Sequence, residues 1–255
     1  MKRTITLLSL FLLPAQVHAQ DVRMATEASF PPFSQTNADG SFSGFELDLG
    51  NEVCERAGWS CTWVKQDFDG AIAALLANQF DVIFSSMSIK PERAEVADFS
   101  LPYYVTATAF FGPEGTDGAV IEDLSGKTLG VYGGSIQESY ATENFPGATV
   151  RGYDNIDLIG ADLDAGRLDL MFVEQLAGLT WIAANPGHIQ VGAEIPPAKF
   201  GDKGAGAMFR KEQPELRDAA NAALREIYAD GTFDEIVAKW FPPGTSIRAD
   251  GLWTE

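Results

Sequence analysis

The stretch DVIFSSMSIKPER, residues 81–93, decides how this chain reads. Asp81 to Phe84 is a short apolar run of the kind that forms a buried strand. Directly after it stand the hydroxyls of Ser85, Ser86 and Ser88, and then Arg93. In open α/β sheets, ligands gather beyond the carboxyl ends of the strands, where loops and helix starts collect. A strand that runs out into hydroxyls and a guanidinium therefore predicts a polar receptor. Arg93 would offer a planar fork suited to a carboxylate.

Outward from this stretch, strand and helix signals alternate, which predicts an α/β fold. Upstream, Val22 to Thr26 reads as a first strand and Asn37-Ala38-Asp39-Gly40 as a turn. Phe45, Leu47, Leu49, Val53 and Cys54 recur at helical spacing until Gly58 stops the helix. Thr62 to Val64 is a strand, and Asp69 caps a helix through Ala77. A second block begins near residue 125. Its strands are Lys127 to Tyr132, Val150 to Tyr153 and Leu168 to Val173. Its helices run from a Ser135 cap to about Asn144, over Ile156 to Ala165, and over Leu176 to Ala184.

Between the blocks, Tyr104 to Phe111 (YVTATAFF) is extended. A comparable piece, Gly204 to Arg210, precedes two helices at Pro214 to Ala229 and Phe233 to Trp240. Two blocks joined by two extended segments predict two lobes with a double crossover, the second inserted into the first.

The strand-end rule selects three further segments. Glu27 and Phe30 follow the first strand; Gly133-Gly134-Ser135, Ile136 and Gln137 follow Tyr132; Glu174 follows Val173. Their chemistry suits a small zwitterion. Ser88 and the N–H groups at the Ser135 helix start add donors to the anion held by Arg93. Ser85 and the main chain at Ser86 accept from an ammonium, which Glu174 pairs. Phe30 and Phe68 sandwich an aliphatic or cationic side chain, and Glu27 faces the far end. Each residue alone is weak evidence, since an arginine after a proline is usually solvated and a phenylalanine is usually core. The force lies in four segments that all follow strands in one chain.

The first residues read as an export signal over 1–19. Lys2 and Arg3 precede an apolar run, Ile5 to Leu13, and Val17-His18-Ala19 supplies small residues at the cleavage offsets. The run is too short to span a bilayer, so a chain from Gln20 to Glu255 without an integral membrane segment is expected. Its ~235 residues suffice for a large core. The formal charge of −18 disfavours nucleic acid and anionic membrane surfaces as partners.

Export makes a Cys54–Cys61 disulfide the expected state of the two cysteines, with two buried thiols as the alternative. They make half a zinc site at most, and His188 is the one histidine beyond the leader, so no metal is expected. Gly133-Gly134-Ser135 lacks the lysine and spacing of a phosphate loop, and no cofactor is implied. The lone His188 also disfavours a Ser-His-Asp hydrolase.

The chain resembles the periplasmic solute-binding proteins of polar amino-acid ABC importers, in particular the lysine/arginine/ornithine- and histidine-binding branch. The likeness covers essentially all of residues 21–245. It is carried by ATEASFPPFS, GFELDLGNEVCERAGWSCTWV, DFDGAIAAL, DVIFSSMSIKPERAEVADFS, LGVYGGSIQESYA, AGRLDLMF and YADGTFDEIVAKWF. It implies a type II periplasmic binding fold, with each lobe a mostly parallel sheet flanked by helices and a two-strand hinge. The lobes would be 20–106 plus 204–255, and 107–203. It also implies hinge closure on a basic amino acid, delivery to an ABC transporter permease in the inner membrane, and a periplasmic location.

By resemblance, Arg93 clamps the ligand carboxylate with Ser88 beside it, and Ser85 and Ser86 help hold the α-ammonium. Phe30 and Phe68 match the family's aromatic pair. Glu27 matches an aspartate that reads cationic side chains, Glu174 the aspartate for the α-ammonium, and Gln137 a polar residue near the ligand. Both cysteines fall where that branch places its disulfide.

There are departures. Ile136 stands where the family commonly has threonine, Tyr132 is bulkier than the usual leucine, and Glu27 and Glu174 are one methylene longer than the pattern. They leave open an opine or a neutral polar amino acid such as glutamine. The related enzyme, cyclohexadienyl dehydratase, keeps a catalytic glutamate about one helical turn after the Glu174 position, where this chain has Ala177.

Overall fold

The computed structural model describes residues 19–253, so the expected leader lies outside the described residues except for Ala19. From the amino end come β1 (Gln20–Thr26), the short strands β2 (Ser29–Phe30), β3 (Ser34–Thr36) and β4 (Phe42–Ser43), and helix α1 (Phe45–Ala57). Next are β5 (Trp59–Lys65), α2 (Ala71–Leu76), β6 (Val82–Ile83), α3 (Pro91–Ala94) and β7 (Asp98–Tyr104). The second block holds β8 (Thr108–Pro113), β9 (Thr128–Tyr132), α4 (Ile136–Asn144), β10 (Thr149–Tyr153) and α5 (Ile156–Asp164). It ends with β11 (Leu170–Glu174), α6 (Gln175–Ala184) and β12 (His188–Ile195). β13 (Ala205–Phe209), α7 (Pro214–Ala229) and α8 (Thr232–Trp240) follow.

The strands form two five-stranded sheets, ordered β5-β1-β6-β13-β7 and β10-β9-β11-β8-β12, beside a small β2-β3-β4 sheet. Each large sheet is mixed rather than mostly parallel. β1 runs parallel to β5 and β6, and β9 parallel to β10 and β11. β13 runs against β6 and β7, and β8 against β11 and β12. The cause is the double crossover. β7 hands the chain to the second sheet and β12 hands it back, so each sheet receives one strand that enters from the other lobe and reverses direction.

Local chemistry sets the boundaries. α1 ends at Gly58, whose left-handed φ of 69° lets its N–H reach the carbonyls of Cys54 and Glu55. Ser135 and Asn155 cap α4 and α5, accepting from the N–H groups of Glu138 and Leu158. The expected Asp69 cap is not made; α2 starts at Ala71, and Gly70 holds its N-cap position with no side-chain cap. The extended run expected over Tyr104 to Phe111 breaks between β7 and β8, where the chain crosses between sheets. His188 begins β12.

α1 is bolted to the edge strand β5 by the Cys54–Cys61 disulfide, with Cα atoms 6.2 Å apart. α7 packs on α1 and β7, returning the carboxyl end to the first sheet. There the Tyr228 hydroxyl donates to the Tyr103 carbonyl at 2.7 Å. Between the sheets sits an aromatic block in which Phe33 stacks on Phe30 and Tyr104, at 5.1 and 4.8 Å between centroids. Phe30 and Tyr104 of this block reach the cavity between the sheets. No helix among the described residues is long and apolar enough to cross a membrane.

Candidate functional site

The carboxyl ends of β1, β6, β9 and β11 meet around one cavity of roughly 640 Å³, its mouth included. Glu27, Phe30, Phe68, Ser86, Ser88, Gln137 and Glu174 all line it. Ser85 and Arg93 do not. Ser85 is buried behind the wall, where its Oγ accepts the Glu27 N–H at 3.0 Å and ties the end of β1 to the end of β6. Arg93 is half-buried beside the cavity, with its guanidinium over the Phe68 ring at 5.7 Å. Its Nη1 donates to the Ser88 carbonyl at 3.0 Å and its Nη2 to the Gly134 carbonyl at 2.9 Å, so it links the first lobe to the second. Among the described residues no carboxylate forms a salt bridge with it.

Two residues at the strand ends hold unusual backbone. Ala28 and Ser86 have φ values of 49° and 51°, in the left-handed region that residues with a Cβ rarely occupy. At Ser86 the conformation is held by a buried carboxylate. Glu46 Oε1 accepts the Ser86 N–H at 2.5 Å and the Tyr103 hydroxyl at 2.6 Å. This contact turns Ser86 to the cavity while its neighbour Ser85 faces the wall.

Several buried polar atoms have no hydrogen-bond partner among the described residues: Glu27 Oε1, Glu46 Oε2, Ser86 Oγ and the Tyr132 hydroxyl. Of these, Glu27, Ser86 and Tyr132 line the cavity, where a polar ligand can complete them. Glu174 Oε2 accepts from the Tyr104 hydroxyl at 3.2 Å, and Gln137 Nε2 donates to Thr108 Oγ1 at 3.0 Å. The Ser135 hydroxyl is spent on its cap and on donation to the Tyr132 carbonyl at 2.7 Å.

The electrostatics are those of a buried acidic pocket. Burial, reinforced by the charges of Glu46 and Asp67, pushes the Glu27 carboxyl up to about 8. Burial raises Glu46 to about 7 despite its bonds from Tyr103 and Ser86. Glu174 is held well above the usual range, first by burial and then by Asp202 and Glu46. Arg93 is lowered by burial. Such a site disfavours a carboxylate's charge until a cation enters.

The strand-end rule missed part of the lining. Tyr104, Thr106 and Thr108 come from the crossover, where their polar groups alternate with apolar neighbours; that alternation was the available signal. Asp202 lines the cavity from the return crossing, which carries no strand-end signal. Glu46 reads in sequence as one more polar residue on a helix, although it sits between Phe45 and Leu47 and is fully buried.

Two α/β lobes that enclose a small polar cavity at their strand ends define a periplasmic binding protein for a small solute. The family model for bacterial extracellular solute-binding proteins, family 3, matches residues 22–243. The lysine/arginine/ornithine-binding periplasmic protein of Escherichia coli K12 is 37% identical over 253 residues, covering 94% of this chain and 97% of the relative. A periplasmic His/Glu/Gln/Arg/opine family-binding protein from Silicibacter pomeroyi, solved with lysine, superposes with a TM-score of 0.81 at 33% identity. That match covers 89% of this chain and 99% of the other. An ancestral arginine-binding protein bound to glutamine gives a TM-score of 0.81 at 34% identity over 88% and 99%. The chain belongs to the family 3 bacterial extracellular solute-binding proteins and is a periplasmic, polar amino-acid-binding protein of ABC transport rather than an enzyme.

Proposed function

We propose that this protein binds a basic amino acid, with arginine favoured over lysine, ornithine and histidine, and delivers it to an inner-membrane ABC permease. The observation that carries this reading is Glu27, buried at one end of the cavity with Oε1 unpartnered among the described residues. A buried carboxylate without a cation is costly, and a distal guanidinium or ammonium supplies one. Phe30, with Tyr132 edge-on at 5.0 Å, walls that end, and Phe68 flanks the ligand stem. At the other end Arg93, beside the cavity, and Ser88 take the ligand carboxylate, Ser86 assists at the α-ammonium while Ser85 braces the wall behind it, Glu174 pairs the ammonium, and Gln137 contacts the ligand. The guanidinium has five N–H donors, and the two carbonyl bonds leave donors for a carboxylate. The lobes, 20–106 plus 204–255 and 107–203, close about the crossovers, and the closed form docks on the permease.

The test is calorimetric competition among arginine, citrulline and glutamine on the wild type and on Glu27→Gln. Citrulline keeps the shape of arginine without its charge. The expected result is a strong preference for arginine that Glu27→Gln erases. Equal binding of citrulline or glutamine by the wild type would overturn the cationic assignment and leave a neutral polar ligand.

A further inference from the structure

One cavity-lining carboxylate, that of Asp202, has no task in the binding scheme above. It stands in the return crossing, and its place is fixed from several sides. Its Oδ1 accepts the Gly204 N–H at 2.9 Å. Gly204 has a φ of 91°, and a Cβ there would meet the Tyr104 carbonyl oxygen at 2.7 Å, so this turn cannot carry a side chain without shifting. The Gly204 carbonyl accepts the Ile89 N–H at 2.9 Å, and Ala205 bridges to Ser88. Asp202 is thereby pinned at the Ser88 end of the cavity. Ala205 is also the register partner of Tyr104, whose hydroxyl donates to Glu174. Glu174 reaches this end from β11 of the second sheet, and Asp202 reaches it from the return crossing, whose turn is tied to Ile89 and Ser88 of the first. Among the described residues, Asp202 Oδ2 has no hydrogen bond.

We propose that Asp202 is a specificity-determining residue that joins Glu174 as a two-carboxylate receptor for the α-ammonium of the ligand. An ammonium has three N–H donors. One carboxylate from the second sheet and one from the return crossing, with a hydroxyl or carbonyl at Ser86 or Ser88 of the first lobe, use all three and make the ammonium a tie across the cleft. The same pair repels any acid group carried on that nitrogen, so the site selects primary α-amino acids against N-carboxyalkyl ligands such as opines. The inference rests on the amino-acid reading of the site but not on the nature of the ligand side chain.

The test uses Asp202→Asn, which keeps the acceptor for Gly204 and so preserves the turn. Affinities are measured by calorimetry for two pairs, arginine with 5-guanidinopentanoate and glutamine with glutaramate. The second member of each pair lacks only the α-amino group. The variant should weaken the bound amino acid at least about tenfold and leave its desamino partner equal or tighter. Equal losses for both members of a pair would mean that Asp202 acts through Arg93 or the fold, and would overturn the proposal. A double-mutant cycle with Glu174→Gln gives an independent reading. Two carboxylates on one ammonium should be non-additive by about tenfold or more, and additive losses would refute a shared receptor. The glutamine pair keeps the outcome for Asp202 separate from that for Glu27, because neither of its members has a distal cation.

Discussion

Binding a cation to Glu27 should be coupled to the loss of a proton, and the coupling can be worked from the pocket. In the ligand-free protein the carboxyl is held at about 8, chiefly by burial. Only the ionised form pairs with a guanidinium, so apparent affinity scales with the ionised fraction. That fraction is about 1% at pH 6, about 9% at pH 7 and about 50% at pH 8. Arginine should therefore bind roughly fiftyfold more tightly at pH 8 than at pH 6. Glu46, at about 7, and Glu174, also raised, broaden the transition because the three carboxyls repel one another. The assay is calorimetry in buffers of different ionisation enthalpy, which counts the protons released. Glu27→Gln should remove most of the slope and most of the released protons. An affinity that changes less than threefold between pH 6 and 8, with no buffer-dependent heat, would rule out this coupling.

The same shift has a stability counterpart whose sign is opposite to that of a salt-bridged acid. Between the ordinary glutamate value of 4.5 and about 8, the unfolded chain is ionised while the native state keeps its proton. Stability of the ligand-free protein should fall as pH rises through that window, by up to about 1.4 kcal/mol per unit. Glu27→Gln should then melt higher than the wild type at pH 8, the pattern of a binding site that trades stability for function.

Other outcomes follow from the same structure. Arg93→Ala should weaken the amino-acid ligand by ~2–5 kcal/mol, or tens to thousands of fold; calorimetry within about threefold of wild type would show that Arg93 serves only to join Ser88 to Gly134. Replacing Cys54 and Cys61 with alanine should lower stability by about 2.5 kcal/mol, from the entropy of so short a loop. An unchanged urea midpoint would contradict that. Small-angle scattering should give a smaller radius of gyration with saturating ligand, and an unchanged radius would argue against closure about the crossovers.

Much of this was written locally in the chain. α7 is legible from its apolar period and the proline at its start, the end of α1 from Gly58, and the start of α4 from Ser135. The rule that ligands gather at strand ends led to Glu27, Ser86, Ser88, Gln137 and Glu174, which all line the cavity. These signals survive in one dimension because strand period, caps and chain breaks depend on neighbours within a few residues.

Which of those residues meet, and what surrounds them, is settled only in three dimensions. The reversed strands β8 and β13 exist because the chain crosses between lobes twice, a long-range event with no local mark. Asp202 and Tyr104 reach the cavity only through those crossings. Ser85 and Ser86 are adjacent and chemically alike, yet one braces β1 and the other faces the cavity. The difference comes from a left-handed turn held by Glu46, 40 residues away in sequence. Burial of the acids is likewise a property of the assembled lobes. The order of residues says where carboxylates stand along the chain, but their charge state depends on how much water the packed walls exclude.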